Sequence, residues 1–160
     1  MSDHRVGIAD LSAAAGEGTL CTIGLGSCVA IVLYDAKARV GGLAHVLLPD
    51  PEMSRLHENP ARFPVTAVPA LIARMRDLGA DPRRLTARLA GGASMFSSLL
   101  PRGAPTIGAR NVEASRRALE TAGIAVVGED VGLEHGRSVY LRLADGQVEV
   151  RSLARGSRVL

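Results

Sequence analysis

Aromatic residues are nearly absent from this chain: Tyr34, Phe63, Phe96 and Tyr140 are the four among 160 residues, and tryptophan is missing. A surface that stacks bases needs such rings, so a nucleic-acid platform is not expected. Cysteine is equally scarce. Cys21 and Cys28 cannot make a disulfide framework and are read as free thiols of a reducing cytoplasm. No apolar run approaches the ~20 residues of a membrane span, and Met1-Ser2-Asp3-His4-Arg5 lacks the layout of a signal peptide. A cytoplasmic protein without membrane insertion is therefore expected. Charge is also weakly polarised. The net +3 arises from 19 cations spread among 16 anions, and only Arg83-Arg84, Arg116-Arg117 and Arg151, Arg155, Arg158 form small groups. These read as solvated arginines rather than a nucleic-acid footprint.

What is present is a folding sequence. Hydrophobic residues make up 47% and charged residues 22%, and a chain of this length can bury roughly 68–70% of its unfolded surface. One domain spanning 1–160 is expected, with a core over about 6–151 and a tail over 152–160. Thr19–Ile23, Cys28–Tyr34 and Val40–Leu48 read as strands, and the prolines at 49, 51, 60 and 64 mark a loop. Val65, Val68, Leu71, Ile72, Met75 and Leu78 recur at helical spacing up to Gly79, with the helix starting near Thr66 so that Pro69 falls in its first turn. Leu85–Leu89 reads as a strand, and residues 111–122 as a second helix stopped by Gly123. Ile124–Val127, Ser138–Leu143 and Gln147–Val150 read as strands, the last two joined through Asp145-Gly146. Two helices among about seven strands predict a single-domain mixed α/β sandwich with β-hairpins.

Chemistry concentrates in Thr22-Ile23-Gly24-Leu25-Gly26-Ser27-Cys28. Glycines shortly before a cysteine allow a sharp backbone approach that a Cβ would block, with backbone N–H groups around Gly26 and Ser27 open to an oxyanion. The simpler reading is a packed thiol, since free cysteine is among the most buried residue types. If Cys28–Tyr34 and Arg39–Leu48 form a hairpin with a two-residue loop (Ala36-Lys37) or a four-residue loop (Asp35–Ala38), Cys28 lies directly opposite His45. A three- or five-residue loop would put His45 on the other face. Opposed side chains are close enough for a thiolate–imidazolium pair, the minimum equipment for acyl transfer. Across the glycine turn, the Thr22 hydroxyl can accept from the imidazole N–H and orient it; alternatively Thr22 is an ordinary strand residue. Gly91-Gly92-Ala93-Ser94 is too short for a P-loop and lacks its lysine. It reads as backbone packed against, or donating N–H groups to, the cysteine strand. The cysteine and histidine spacings match no zinc motif, so neither metal nor cofactor is expected.

Together these residues resemble the CheD family of chemoreceptor glutamine deamidases. The resemblance runs in order through Thr22–Val29, Gly42–Pro49, Gly91–Phe96, Ile107–Asn111, then Glu129-Asp130, Gly132, Gly136-Arg137 and the closing hairpin to Arg151. It implies conversion of particular receptor glutamines to glutamate, with the family's catalytic cysteine, histidine and threonine falling on Cys28, His45 and Thr22. It further implies a fold similar to a toxin-type glutamine deamidase domain, chemoreceptor cytoplasmic domains as protein substrates, binding in some members to a CheC-type phosphatase, and a receptor methylesterase activity. Two departures stand out: Leu133-Glu134-His135 where the family has a second glycine and an asparagine, and Cys21 before the threonine. A non-catalytic adaptor that docks on receptors, with Cys28 merely packed, is the competing class, and a different cysteine acyl-transfer enzyme the next.

Overall fold

The computed structural model describes residues 3–95, 99, 101 and 103–160; Phe96 of the third motif lies outside them. Five strands, β1 (Asp3–Arg5), β3 (Thr19–Leu25), β8 (Arg137–Arg142), β9 (Val148–Ser152) and β10 (Gly156–Val159), form one sheet in the order β1-β3-β8-β9-β10. The other five, β2 (Asp10–Ala15), β4 (Val29–Asp35), β5 (Val40–Val46), β6 (Thr86–Gly91) and β7 (Ala125–Val131), form a second sheet in the order β2-β5-β4-β6-β7. Helices α1 (Pro64–Asp77) and α2 (Ile107–Thr121) cover the outer face of the second sheet.

Strand alternation dictates this layering. Leu20, Val139, Leu141, Val148 and Val150 of the first sheet meet Cys28, Ala30, Val32 and Leu43 in one apolar layer. Val29, Ile31, Leu33, Val40, Ala44 and Val46 point the other way, onto Val68, Leu71, Met75, Val112 and Leu119 of the helices. Strands β4 and β5 are thus buried on both faces, which is why they read as unbroken apolar runs. Close packing on both sides of β5 needs its glycine pair. A Cβ on Gly41 would stand 2.7 Å from Leu141 and Leu143, and one on Gly42 2.7 Å from Met75. The sheets are also tied by Tyr34, whose hydroxyl donates to the Leu143 carbonyl at 2.6 Å.

The mixed α/β sandwich with two helices is as expected, while several details differ. The β4–β5 loop is Ala36–Arg39, with Asp35 opposite Val40 and His45 opposite Ala30, so the register is displaced by two residues from the expected pairing. The cause is Asp35. Its Oδ1 accepts from the N–H groups of Lys37 and Ala38, and its carboxylate takes the Asp81 N–H and a 2.8 Å ion pair from Arg84. Burial would raise this carboxyl, but the Arg84 guanidinium and the backbone donors outweigh it and hold it at about 2. Helix α1 starts at Pro64, leaving Pro69 in its interior. Val65 and Pro69 are both exposed, so the hydrogen bond that Pro69 cannot donate is missing on the wet face, where it costs least. Helix α2 starts at Ile107, capped by the Thr106 hydroxyl on the Ala109 N–H. The stretch after Arg151, expected as a tail, contributes β10 to the first sheet.

Candidate active site

The strand β3 pairing with β8 is broken by a bulge between Thr22 and Leu25, with Gly24 at φ +76. The bulge lets Thr22 and Leu25 both point into the inter-sheet layer despite their odd spacing, and both are fully buried. From the opposing sheet His45 points into the same layer, also fully buried. Thr22 Oγ1 lies 2.6 Å from His45 Nδ1 and 2.6 Å from the Val6 carbonyl oxygen. A carbonyl can only accept, so the single hydroxyl proton goes to Val6 and Thr22 must accept from Nδ1–H. This fixes the imidazole tautomer. Nε2 is left as a lone-pair acceptor, buried and without a hydrogen-bond partner among the described residues.

Cys28 immediately precedes β4 and shares with Ala30 the face that carries His45. The two-residue displacement is even, so parity is kept: Cys28 and His45 are diagonal rather than direct neighbours, with diagonal positions roughly 7 Å apart at Cα and closer at the side chains. The electrostatics differ from the expected ion pair. Burial pushes the Cys28 thiol up, with only its own backbone N–H favouring the thiolate. Burial also pushes His45 down to about 4. At neutral pH the resting pair is therefore thiol and neutral imidazole, because neither charge is hydrated and no third charge compensates it.

The two later glycines sit against the cysteine. Gly92 N–H donates to the Cys28 carbonyl at 2.8 Å and Ala93 N–H to the Gly26 carbonyl at 2.8 Å. A Cβ on Gly91 would stand 2.3 Å from the Cys28 carbonyl oxygen, so this approach is open to glycine alone. The Gly92 donor is committed to shaping the Gly26-Ser27-Cys28 turn. Beside it a recess of about 590 Å³ opens along Ile23, Gly24, Met95, His135 and Gly136. Its wall is organised by Arg137, whose buried guanidinium pairs with Asp130 at 2.8 Å and donates to the Gly132 and His135 carbonyls. Sequence reasoning gave Arg137 no role. Its signals are its place in the Gly136-Arg137 match to the family and its charge in the otherwise apolar inward series of β8.

In the segment between Asp130 and Arg137, Leu133 adopts φ +60 with its side chain half exposed. The conformation costs a branched aliphatic residue roughly 1–2 kcal/mol and suits asparagine better. Leu133→Asn is expected to raise the melting temperature by about 2–4 °C in thermal unfolding; an unchanged or lower value would mean that the exposed leucine compensates its own strain.

Among the described residues no group of three metal-ligating side chains converges, and no helix is long and apolar enough to cross a membrane.

Residues 47–152 match the family model described as CheD chemotactic sensory transduction. A probable chemoreceptor glutamine deamidase CheD of Desulforamulus reducens is 42% identical over 159 residues, covering 99% of this chain and 96% of that protein. The proteins of the same name from Thermococcus kodakarensis and Clostridium novyi are 44% and 41% identical, over 95% and 98% of this chain and 94% and 96% of their own lengths. With this similarity running from end to end, the chain belongs to the CheD family.

Proposed function

We propose that this protein is a cytoplasmic chemoreceptor glutamine deamidase in which Cys28 is the nucleophile, His45 the acid–base and Thr22 the group that orients His45. One observation supports the reading above all: the Thr22 hydroxyl proton is committed to Val6, so the imidazole offers an unpartnered Nε2 lone pair on the face that carries the thiol. An adaptor has no need of that tautomer, and a buried, unpartnered imidazole nitrogen is costly to keep without a use.

The chemistry follows from the neutral pair. As Cys28 Sγ attacks the carboxamide carbon of a receptor glutamine, its proton passes to His45 Nε2, so thiolate forms only as the C–S bond forms. Backbone N–H groups of the Gly26-Ser27-Cys28 turn, held by Gly91 and Gly92, stabilise the oxyanion. The imidazolium returns the proton to the departing nitrogen, the C–N bond breaks and ammonia leaves behind a glutamyl thioester. Water, deprotonated by His45, then cleaves the C–S bond to give glutamate and the free thiol. A glutamate methyl ester reaches the same thioester with methanol leaving, which makes methylesterase activity chemically natural. Family resemblance further points to a CheC-type phosphatase as a partner.

The test is peptide mass spectrometry of a chemoreceptor cytoplasmic domain incubated with wild type and with Cys28→Ala. Wild type is expected to add about 1 Da at discrete glutamines, carboxamide becoming carboxylate, and the variant none. A gain that persists in Cys28→Ala, or none with folded wild type, overturns the assignment.

A further inference from the structure

Past the last β4–β5 rung, Val29 opposite Val46, the two strands part. Cys28 leans to β6, its carbonyl accepting from Gly92, while Leu47 turns away and donates its N–H to the Arg62 carbonyl at 2.9 Å. This fork lies between the thiol and the imidazole that must cooperate. It is spanned by one side chain. Asn111 of α2 is fully buried, and its Nδ2 donates to the Ser27 carbonyl at 2.8 Å and to the Leu47 carbonyl at 3.1 Å. Both partners are carbonyls, so the amide orientation is set by chemistry, and Oδ1 has no hydrogen-bond partner among the described residues.

We propose that Asn111 is a positioning residue which, by clamping the Ser27 and Leu47 carbonyls across this fork, sets the approach of Cys28 to His45. This rests on the deamidase reading above. The helix delivers the amide from a fixed place. One turn earlier, a Cβ on Gly108 would stand 2.3 Å from the Ala93 carbonyl oxygen and 2.5 Å from that of Gly92, so α2 is seated on the segment that itself supports the cysteine turn. One turn later, the Ser115 hydroxyl donates to the Asn111 carbonyl at 2.7 Å. The Asn111 amide donates to neither the thiol nor the imidazole but to the backbone beside each. It acts on the residue before one and the residue two after the other, where displacement of about 1 Å costs on the order of 100-fold in rate.

The experiment compares Asn111→Ala, and Asn111→Leu, which fills the space without donors, against Leu119→Ala, a fully buried apolar truncation in the same helix. Deamidation of the receptor domain is followed for kcat and KM, and iodoacetamide alkylation of Cys28 for its pH midpoint, at temperatures where each protein is folded. Both Asn111 variants are expected to lose on the order of 100-fold in kcat with KM little changed, and to shift the alkylation midpoint. Leu119→Ala is expected to lose melting temperature while keeping both. Asn111 variants that match Leu119→Ala in kcat and midpoint overturn the proposal. If folded wild type deamidates nothing, the functional reading fails by itself, and the alkylation midpoint still decides whether Asn111 sets the environment of Cys28.

Discussion

Thr22→Val is expected to reduce kcat by on the order of 10³-fold while leaving substrate binding nearly intact, because it abolishes the group that sets the tautomer of the imidazole proposed as the acid–base. Thr22 Oγ1 is the partner of both the Val6 carbonyl and His45 Nδ1–H. Valine has the same shape, so no cavity opens, but both partners lose their hydrogen bond in a buried site. Each such orphan costs about 1–3 kcal/mol. Moving the proton to Nε2 would relieve the imidazole, yet it places a donor where the thiol proton must be received. Stability and rate are thus expected to fall together, the former by about 2–4 kcal/mol in urea unfolding. Thr22→Ser keeps the hydroxyl and is expected to recover most of both. A Thr22→Val enzyme with near wild-type kcat would remove the orienting role and leave Thr22 as a strap between the sheets.

That the proposed triad could be read from sequence at all depends on parity. The hairpin register was displaced by two residues, but an even displacement leaves every side chain on its face, so Cys28 and His45 remained on the same side of the sheet. The true loop, Ala36–Arg39, is not legible because the sequence leaves Asp35 either as the first residue of a four-residue loop or as the position before a two-residue one. Asp35 is buried, but its partner Arg84 lies at the surface 49 residues away, and nothing local announces that pairing. Asn111 was hidden for the same reason: its two acceptors are backbone carbonyls 84 and 64 residues distant, and a backbone carbonyl has no sequence signature. Strand β2, Asp-Leu-Ser-Ala-Ala-Ala, carries residues of low strand propensity and exists because β5 offers it an edge. The neutral thiol–imidazole pair was missed because spacing places two groups together without revealing how little water reaches them.

That dryness has a thermodynamic consequence larger than that of any exposed ion pair in the molecule. His45 titrates at about 4 in the folded protein against an ordinary value of 6.5, depressed by burial. Between those values the unfolded chain binds a proton that the folded chain refuses, so unfolding is favoured progressively as pH falls through the window. At 1.36 kcal/mol per pH unit the full span is worth about 3 kcal/mol, of which about 2 kcal/mol is already lost at pH 5. Below about pH 4 the folded imidazole is protonated too and this contribution levels off. The carboxylates act in the same direction but lower: Asp35, held at about 2, lends stability that is lost only as pH falls below about 4. His135 is also depressed, first by desolvation and then by Arg137, so the measurement must be differential. Urea unfolding of wild type and of His45→Gln at pH 7 and pH 5 is expected to show a drop of about 2 kcal/mol in the former that is largely absent in the latter. Equal drops in the two proteins would mean that folded His45 takes up its proton near its ordinary value, and the strong burial argued for its imidazole would fall.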